Sequence, residues 1–353
     1  TRRCRHCWCT IYCLHYFVGN RHSWPHQGIP VYPIRSMKLS FSGTSWTRLA
    51  GSAVLVGLLA GCSILPTVPQ DLQSTVQTQP AVELKNVPFF AQEEFYCGPS
   101  TLAMVLNHAG ESTEPNKLAE LVYLPGRQGS LQLEMLAAPR RLGYLSYQIE
   151  PKLPALFDAL NAGAPVVVLL NLSLQIAPQW HYAVVVGYEP ASNNMILRSG
   201  PKERELIPLA TFLKLWERSQ NWGFTVIKPG VEPPSYVTAQ GYLNSAVALE
   251  RSSTIKAGLA YQQGAKAWPT EPWFHFGLGN LAYGDGNYVE AEQHYRKAVG
   301  VYPDMADAWN NLAEALIKLE RKSEARAAIN KAIAIGGSRV AAYRETAQKI
   351  QAD

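Results

Sequence analysis

The sequence predicts an α+β domain followed by an all-α repeat domain, and three observations carry that reading. Between about residues 84 and 229, helical patterns come first and mostly antiparallel strand patterns follow. A cysteine, Cys97, stands at the start of the first of those helices. Beyond residue 238 the chain turns Ala-rich and matches itself at a shift of 34 residues.

Length and composition agree with two folded domains. The chain has 353 residues, 47% hydrophobic and 17% charged, which is globular and excludes a disordered chain. Its formal charge of +5 arises at one end: residues 1–61 hold seven Lys or Arg and no Asp or Glu. The remainder carries 25 basic and 27 acidic residues, so the balance gives no support to a nucleic-acid partner.

Residues 1–36 contain Cys4, Cys7, Cys9 and Cys13 and no acidic residue. The spacing of the first three could suggest a metal cluster. The preferred reading is upstream sequence translated from a misplaced start, because a complete export signal begins at Met37. Lys38 and Arg48 form its basic part, and Leu49 to Ala60 is an apolar core too short to span a bilayer well. Leu59-Ala60-Gly61-Cys62 resembles the bacterial lipobox. That resemblance implies removal of residues 37–61, acylation of Cys62 and attachment by lipid to the bacterial cell envelope. Ser63 favours the outer membrane, facing the periplasm. Cys97 is then the one thiol left in the mature chain. Residues 62–83, rich in Pro and Gln, read as a tether.

The first domain spans 84–229. The extended apolar run Val87 to Phe90 leads through a polar turn, with Glu93 and Glu94 solvated, to Cys97-Gly98-Pro99-Ser100. A helix follows, with Leu102, Val105, Leu106 and Ala109 at helical spacing. The unpaired N–H groups and positive end of that helix favour a thiolate at Cys97 and a lowered pKa. Pro99 suits the first turn, and Gly98 leaves the sulfur uncrowded. Further helices are expected at Pro115 to Val122, Ser130 to Leu142, Pro154 to Asn161 and Pro208 to Arg218. Strands are expected at Tyr144 to Ile149, Val166 to Leu170, His181 to Tyr188, Asn194 to Arg198 and Trp222 to Ile227.

Gln92 lies five residues before Cys97, and Trp180-His181-Tyr182 opens a strand about eighty residues later. A cysteine at a helix start with a histidine on a distant strand is the thiolate–imidazole arrangement of papain-like chemistry. Q-x4-C-G-P-S followed by W-H-Y-A-V-V-V-G-Y resembles the C39-like bacterial cysteine peptidases, over roughly Asn86 to Pro229. The resemblance implies a papain-like α+β fold, with Cys97 as nucleophile and His181 as acid and base. It further implies that Gln92, with the Cys97 N–H, donates to the oxyanion. Trp180 and Tyr182 are expected to wall the cleft. Related enzymes place an Asp after the strand that follows the histidine, whereas this chain reads Leu197-Arg198-Ser199-Gly200-Pro201. Ser199 is the best positional match for orienting the imidazole, with Asn193 or Asn194 as alternatives.

Residues 230–237 form a linker around Pro233 and Pro234. In the repeats, Ala257, Ala291 and Ala325 align, as do Tyr261, Tyr295 and Ile329, and then Gly264, Ala298 and Ala332. This pattern resembles tetratricopeptide repeats at 238–271, 272–305 and 306–339, closed by a helix from Val340 to Ile350. The functional expectation is an envelope-anchored cysteine peptidase whose repeats dock a protein substrate or partner, with no cofactor and no metal. A catalytically silent peptide-binding scaffold is the alternative, and acyl transfer on the same thiol a third possibility.

Overall fold

The structure, a computed structural model, describes residues 66–93 and 95–352. The upstream segment, the export signal and Cys62 lie outside these residues, as does Glu94.

The α+β region opens with helix α1 (Gln73–Gln77) and strand β1 (Val82–Glu83), then α2 (Cys97–His108) and α3 (Pro115–Val122). A small ribbon of β2 (Tyr123–Leu124) and β3 (Gly129–Ser130) precedes α4 (Gln132–Arg141), β4 (Leu145–Gln148) and α5 (Leu153–Asn161). Then come β5 (Val166–Asn171), β6 (Trp180–Glu189), β7 (Asn194–Ser199), β8 (Lys202–Pro208), α6 (Leu209–Glu217) and β9 (Gly223–Ile227). The strands form a seven-stranded sheet in the order β4-β9-β5-β6-β7-β8, with β1 pairing β6, and every pairing is antiparallel.

Period-two alternation sends the sheet's side chains to two cores. Val167, Leu169, Tyr182, Val184, Val186 and Ile196 meet α2, α3 and α4 through Leu102, Leu106, Leu118 and Met135. On the opposite face Val166, Val168, Ala183, Val185 and Leu197 meet α5 and α6 through Phe157, Phe212 and Trp216. The sheet is therefore covered by helices on both sides, and α2 is carried against β6. Gly187 is required where β1 crosses β6, because a Cβ there would lie 2.2 Å from the Val82 carbonyl oxygen.

The repeat region contains α7 (Ala239–Glu250), α8 (Thr254–Ala267), α9 (Pro272–Gly284), α10 (Tyr288–Val301), α11 (Ala306–Lys318), α12 (Lys322–Ile335) and α13 (Val340–Ala352). The aligned positions Ala257, Ala291 and Ala325 are fully buried, and Tyr261, Tyr295 and Ile329 fill the space beside them. Gly279 stands where helices cross closely: a Cβ there would fall 2.5 Å from the Tyr295 ring.

Three features differ from the sequence reading. Lys202–Pro208 is a strand that the sequence pattern does not mark. The stretch read as a tether is anchored: Val68, Leu72 and Val76 pack on the core, and Val82–Glu83 joins the sheet. The segment read as a linker is bridged by packing, since Tyr242, Leu243, Ala246 and Leu249 of α7 share one hydrophobic core with Leu145 and Tyr147 of β4. The described residues form a single compact unit.

Candidate active site

Cys97 is the first residue of α2, and the first helical bond, from Ser100 N–H to the Tyr96 carbonyl, is 3.1 Å. The remaining N-terminal N–H groups are left for other partners. Gly98 is tightly confined, a Cβ there falling 2.3 Å from Ser130 Oγ. Just upstream, Phe95 has a left-handed φ of 66°, a strained conformation for an aromatic residue, and this turn delivers Gln92 and Cys97 to the same place.

That place is the edge of β6. Pairing between β6 and β7 runs only to Val184 opposite Arg198, so the strands have parted at Tyr182. The Tyr182 backbone is taken up by the two sequence-predicted residues instead. Its carbonyl accepts from Gln92 Nε2 at 3.4 Å, and its N–H lies where it favours a thiolate at Cys97. Gln92 is also clamped to the turn after β7. Its N–H donates to the Gly200 carbonyl at 3.0 Å, and Gly200 N–H donates to Gln92 Oε1 at 2.9 Å. These partners define which end of the amide is nitrogen, and one of its two hydrogens remains for a ligand. Buried Arg198 braces the same corner by donating to the carbonyls of Val87 and Glu203.

His181 precedes Tyr182 on β6. Its Nε2 lies 3.0 Å from Ser199 Oγ. Asn193 and Asn194 do not reach it: Asn193 Oδ1 accepts from the Tyr188 hydroxyl at 2.9 Å, and Asn194 donates to Ser192 at 2.9 Å. Among the described residues no hydrogen bond joins Cys97 to His181.

The electrostatics correct one expectation. Burial pushes the Cys97 thiol above its ordinary value, against the pull of backbone N–H groups of Tyr182, Gly98 and Cys97 itself. The helix terminus acts in the expected direction, but desolvation outweighs it. Burial likewise holds the His181 imidazole below its ordinary value, opposed by the charge of Glu205. At neutral pH the resting pair is thus thiol and neutral imidazole.

Glu205 was not anticipated from the sequence. It lies on β8 opposite Leu197, and the register shifts between Leu197 and Ser199, which pairs with Lys202. Lys202 Nζ binds Glu205 Oε1 at 2.8 Å, and Ser199 is near enough to help stabilise the ionised carboxylate. Burial raises the carboxyl, but Lys202, Ser199 and His181 together bring it below the usual carboxylate value. A carboxylate is therefore present behind Ser199, supplied by the next strand. The only sequence signal for it was the polar run Lys202-Glu203-Arg204-Glu205.

Beside the site is a cavity of about 410 Å³, lined by Ser130, Leu131, Leu169, Trp180, Tyr182 and Arg218 among others. Trp180 is half exposed at its mouth, and Tyr182 is buried, its hydroxyl donating to the Ser130 carbonyl at 3.3 Å. Among the described residues, no group of three or more His, Cys, Asp or Glu is arranged to hold a metal ion.

Residues 84–223 match the model of the Peptidase_C39 like family. Residues 256–300 and 276–339 match that of the tetratricopeptide repeat. No curated protein matches the chain. Among solved structures, one described as a C39-like peptidase from Bacillus anthracis is 21% identical over 42% of this chain and 98% of its own, with a TM-score of 0.36. The TPR2B domain of yeast Sti1, in its pHsp70 complex, is 18% identical over 32% of this chain and 95% of its own, at 0.31. The Sgt2 TPR domain from Aspergillus fumigatus is 20% identical over 35% and 84%, at 0.30.

Proposed function

Because this chain joins a C39-like peptidase domain to tetratricopeptide repeats, we propose that it is a cysteine peptidase whose repeats dock a protein substrate or partner. The observation that carries this reading is the convergence on Tyr182. Its carbonyl accepts from Gln92, its N–H favours the Cys97 thiolate, and the neighbouring imidazole of His181 is held by Ser199.

The chemistry follows from the neutral resting pair. As sulfur attacks the peptide carbonyl, the thiol proton passes to His181 Nδ1, the ring nitrogen not engaged by Ser199. The S–C bond forms and the carbonyl electrons move onto oxygen, which accepts from Gln92 Nε2 and the Cys97 N–H. Collapse breaks the C–N bond, and the imidazolium protonates the leaving amine. Water, deprotonated by the same imidazole, then attacks the acyl-enzyme, and the proton returns to sulfur as the acid product leaves. The adjoining cavity, where Leu131, Leu169, Trp180 and Tyr182 meet a polar lining that includes Gln132, Arg218 and Gln220, suits a bulky side chain of the substrate.

A peptidyl electrophile bearing such a side chain tests this on the full chain. Covalent labelling of Cys97, lost in C97A and slowed about 100-fold in H181A, is the expected result. A second reading, a silent peptide-binding scaffold, is favoured by the raised thiol and the missing hydrogen bond between Cys97 and His181. It prevails if wild type and H181A are labelled at the same rate.

We further propose, from Leu59-Ala60-Gly61-Cys62 alone, that Cys62 carries lipid and holds the protein in a bacterial envelope, on the periplasmic side of the outer membrane. No described helix is long and apolar enough to cross a membrane. Labelled palmitate is expected to enter the wild-type protein in bacteria and not C62S; equal labelling of both would overturn the assignment.

A further inference from the structure

We propose that Glu205 is the positioning acid of this site, acting through the Ser199 hydroxyl to hold His181 with its proton on Nε2 and its lone pair on Nδ1. Its catalytic consequence rests on the peptidase reading; the placement itself does not.

The argument is one of proton counting across three strands. The register puts His181 of β6, Ser199 of β7 and Glu205 of β8 on one face, in a diagonal row. An ionised carboxylate only accepts, so a Ser199 hydroxyl acting between the two groups turns its one hydrogen toward Glu205. The Ser199 oxygen is then left to accept, and at 3.0 Å its partner is His181 Nε2. That nitrogen must carry the imidazole proton. Without Glu205, Ser199 is free to turn and donate to Nε2, which moves the proton to Nδ1 and removes the base. Lys202, at 2.8 Å from Glu205 Oε1, keeps the carboxylate ionised and on station, and Glu205 is only 21% exposed on its side chain. The charged group acting on His181 is thus Glu205, itself held by Lys202. Burial depresses the imidazole while the Glu205 charge raises it. Removing that charge lowers it further.

The row does what one Asp at position 199 would do, with a neutral hydroxyl interposed. That gives a specific rescue. Full-length protein with ¹⁵N-labelled histidine reports the tautomer and titration of His181, assigned by its loss in H181Q, whether or not the protein cleaves anything. Wild type is expected to hold the Nε2–H tautomer. E205A should show mixed tautomers and a His181 titration moved to lower pH. S199D/E205A should restore both. E205Q, which keeps the shape, should lower the titration alone. An unchanged tautomer and titration in E205A overturns the proposal. Where peptidase activity is measurable, E205A should lose about 100-fold in kcat with KM nearly constant, and the acid limb of its kcat/KM profile should move to lower pH. Loss of activity in E205A without change at His181 also overturns the proposal, leaving Glu205 a structural role. If the labelling test above fails while the His181 spectra respond as stated, the peptidase reading falls and the relay stands.

Discussion

The clamp on Gln92 has a cost that substitution can expose. Its amide is held at both ends, by Gly200 and by the Tyr182 carbonyl, so its remaining hydrogen is aimed before substrate arrives. Donors fixed in advance contribute more than donors that must reorganise, and losing one raises the barrier by about 3 kcal/mol. Q92A should therefore lower kcat about 100-fold with little change in KM, measured as peptide hydrolysis. A rise in KM at constant kcat would mean that Gln92 only holds substrate. At this scale, the sequence made Gln92, Cys97 and His181 visible as a spaced motif and Ser199 as a positional match; the structure ties Gln92 to Tyr182 and Gly200, and His181 to Ser199. Glu205 was invisible for a physical reason. It reaches the imidazole through a hydroxyl and across a register shift, and neither leaves a fixed spacing along the chain. The raised thiol was hidden too, because the helix terminus can be read from sequence and the burial that outweighs it cannot.

Elements were legible where periodicity carried burial. The helix from Pro115 to Val122 ends where the pattern ends, and the fully buried β5 reads as a continuous apolar run. The repeats declared themselves because each small residue of the period is a helix crossing. Strand β8 had no such mark. It lies at the edge of the sheet, none of its residues is buried, and Lys202-Glu203-Arg204-Glu205 shows no apolar face. Its pairing with β7 makes it a strand, which is a tertiary cause. The segment from Val68 to Val82 was missed for the converse reason. Val68, Leu72 and Val76 recur every four residues, but among Pro and Gln the pattern is too sparse to stand out.

In the whole molecule, the two regions separated by composition are joined by a core. Ser245 Oγ donates to the Ser146 carbonyl at 3.2 Å, Thr238 N–H donates to the Tyr147 hydroxyl at 3.2 Å, and Thr225 and Tyr236 share a hydrogen bond of 2.8 Å. Gly241 lies under the Tyr147 ring, where a Cβ would come within 2.7 Å. Gly241→Val should therefore overpack this seam at a cost of about 1–3 kcal/mol. Sheet and first repeat are expected to melt together at a lower temperature, followed by calorimetry and by tryptophan fluorescence. Two separate transitions, with the sheet unmoved, would show that the seam is not shared. Under the peptidase reading, this seam turns the array into a caliper with fixed jaws. A guest gripped by the helices meets the thiol only if its own length spans the gap, so reach joins side-chain fit as a criterion of what is cut.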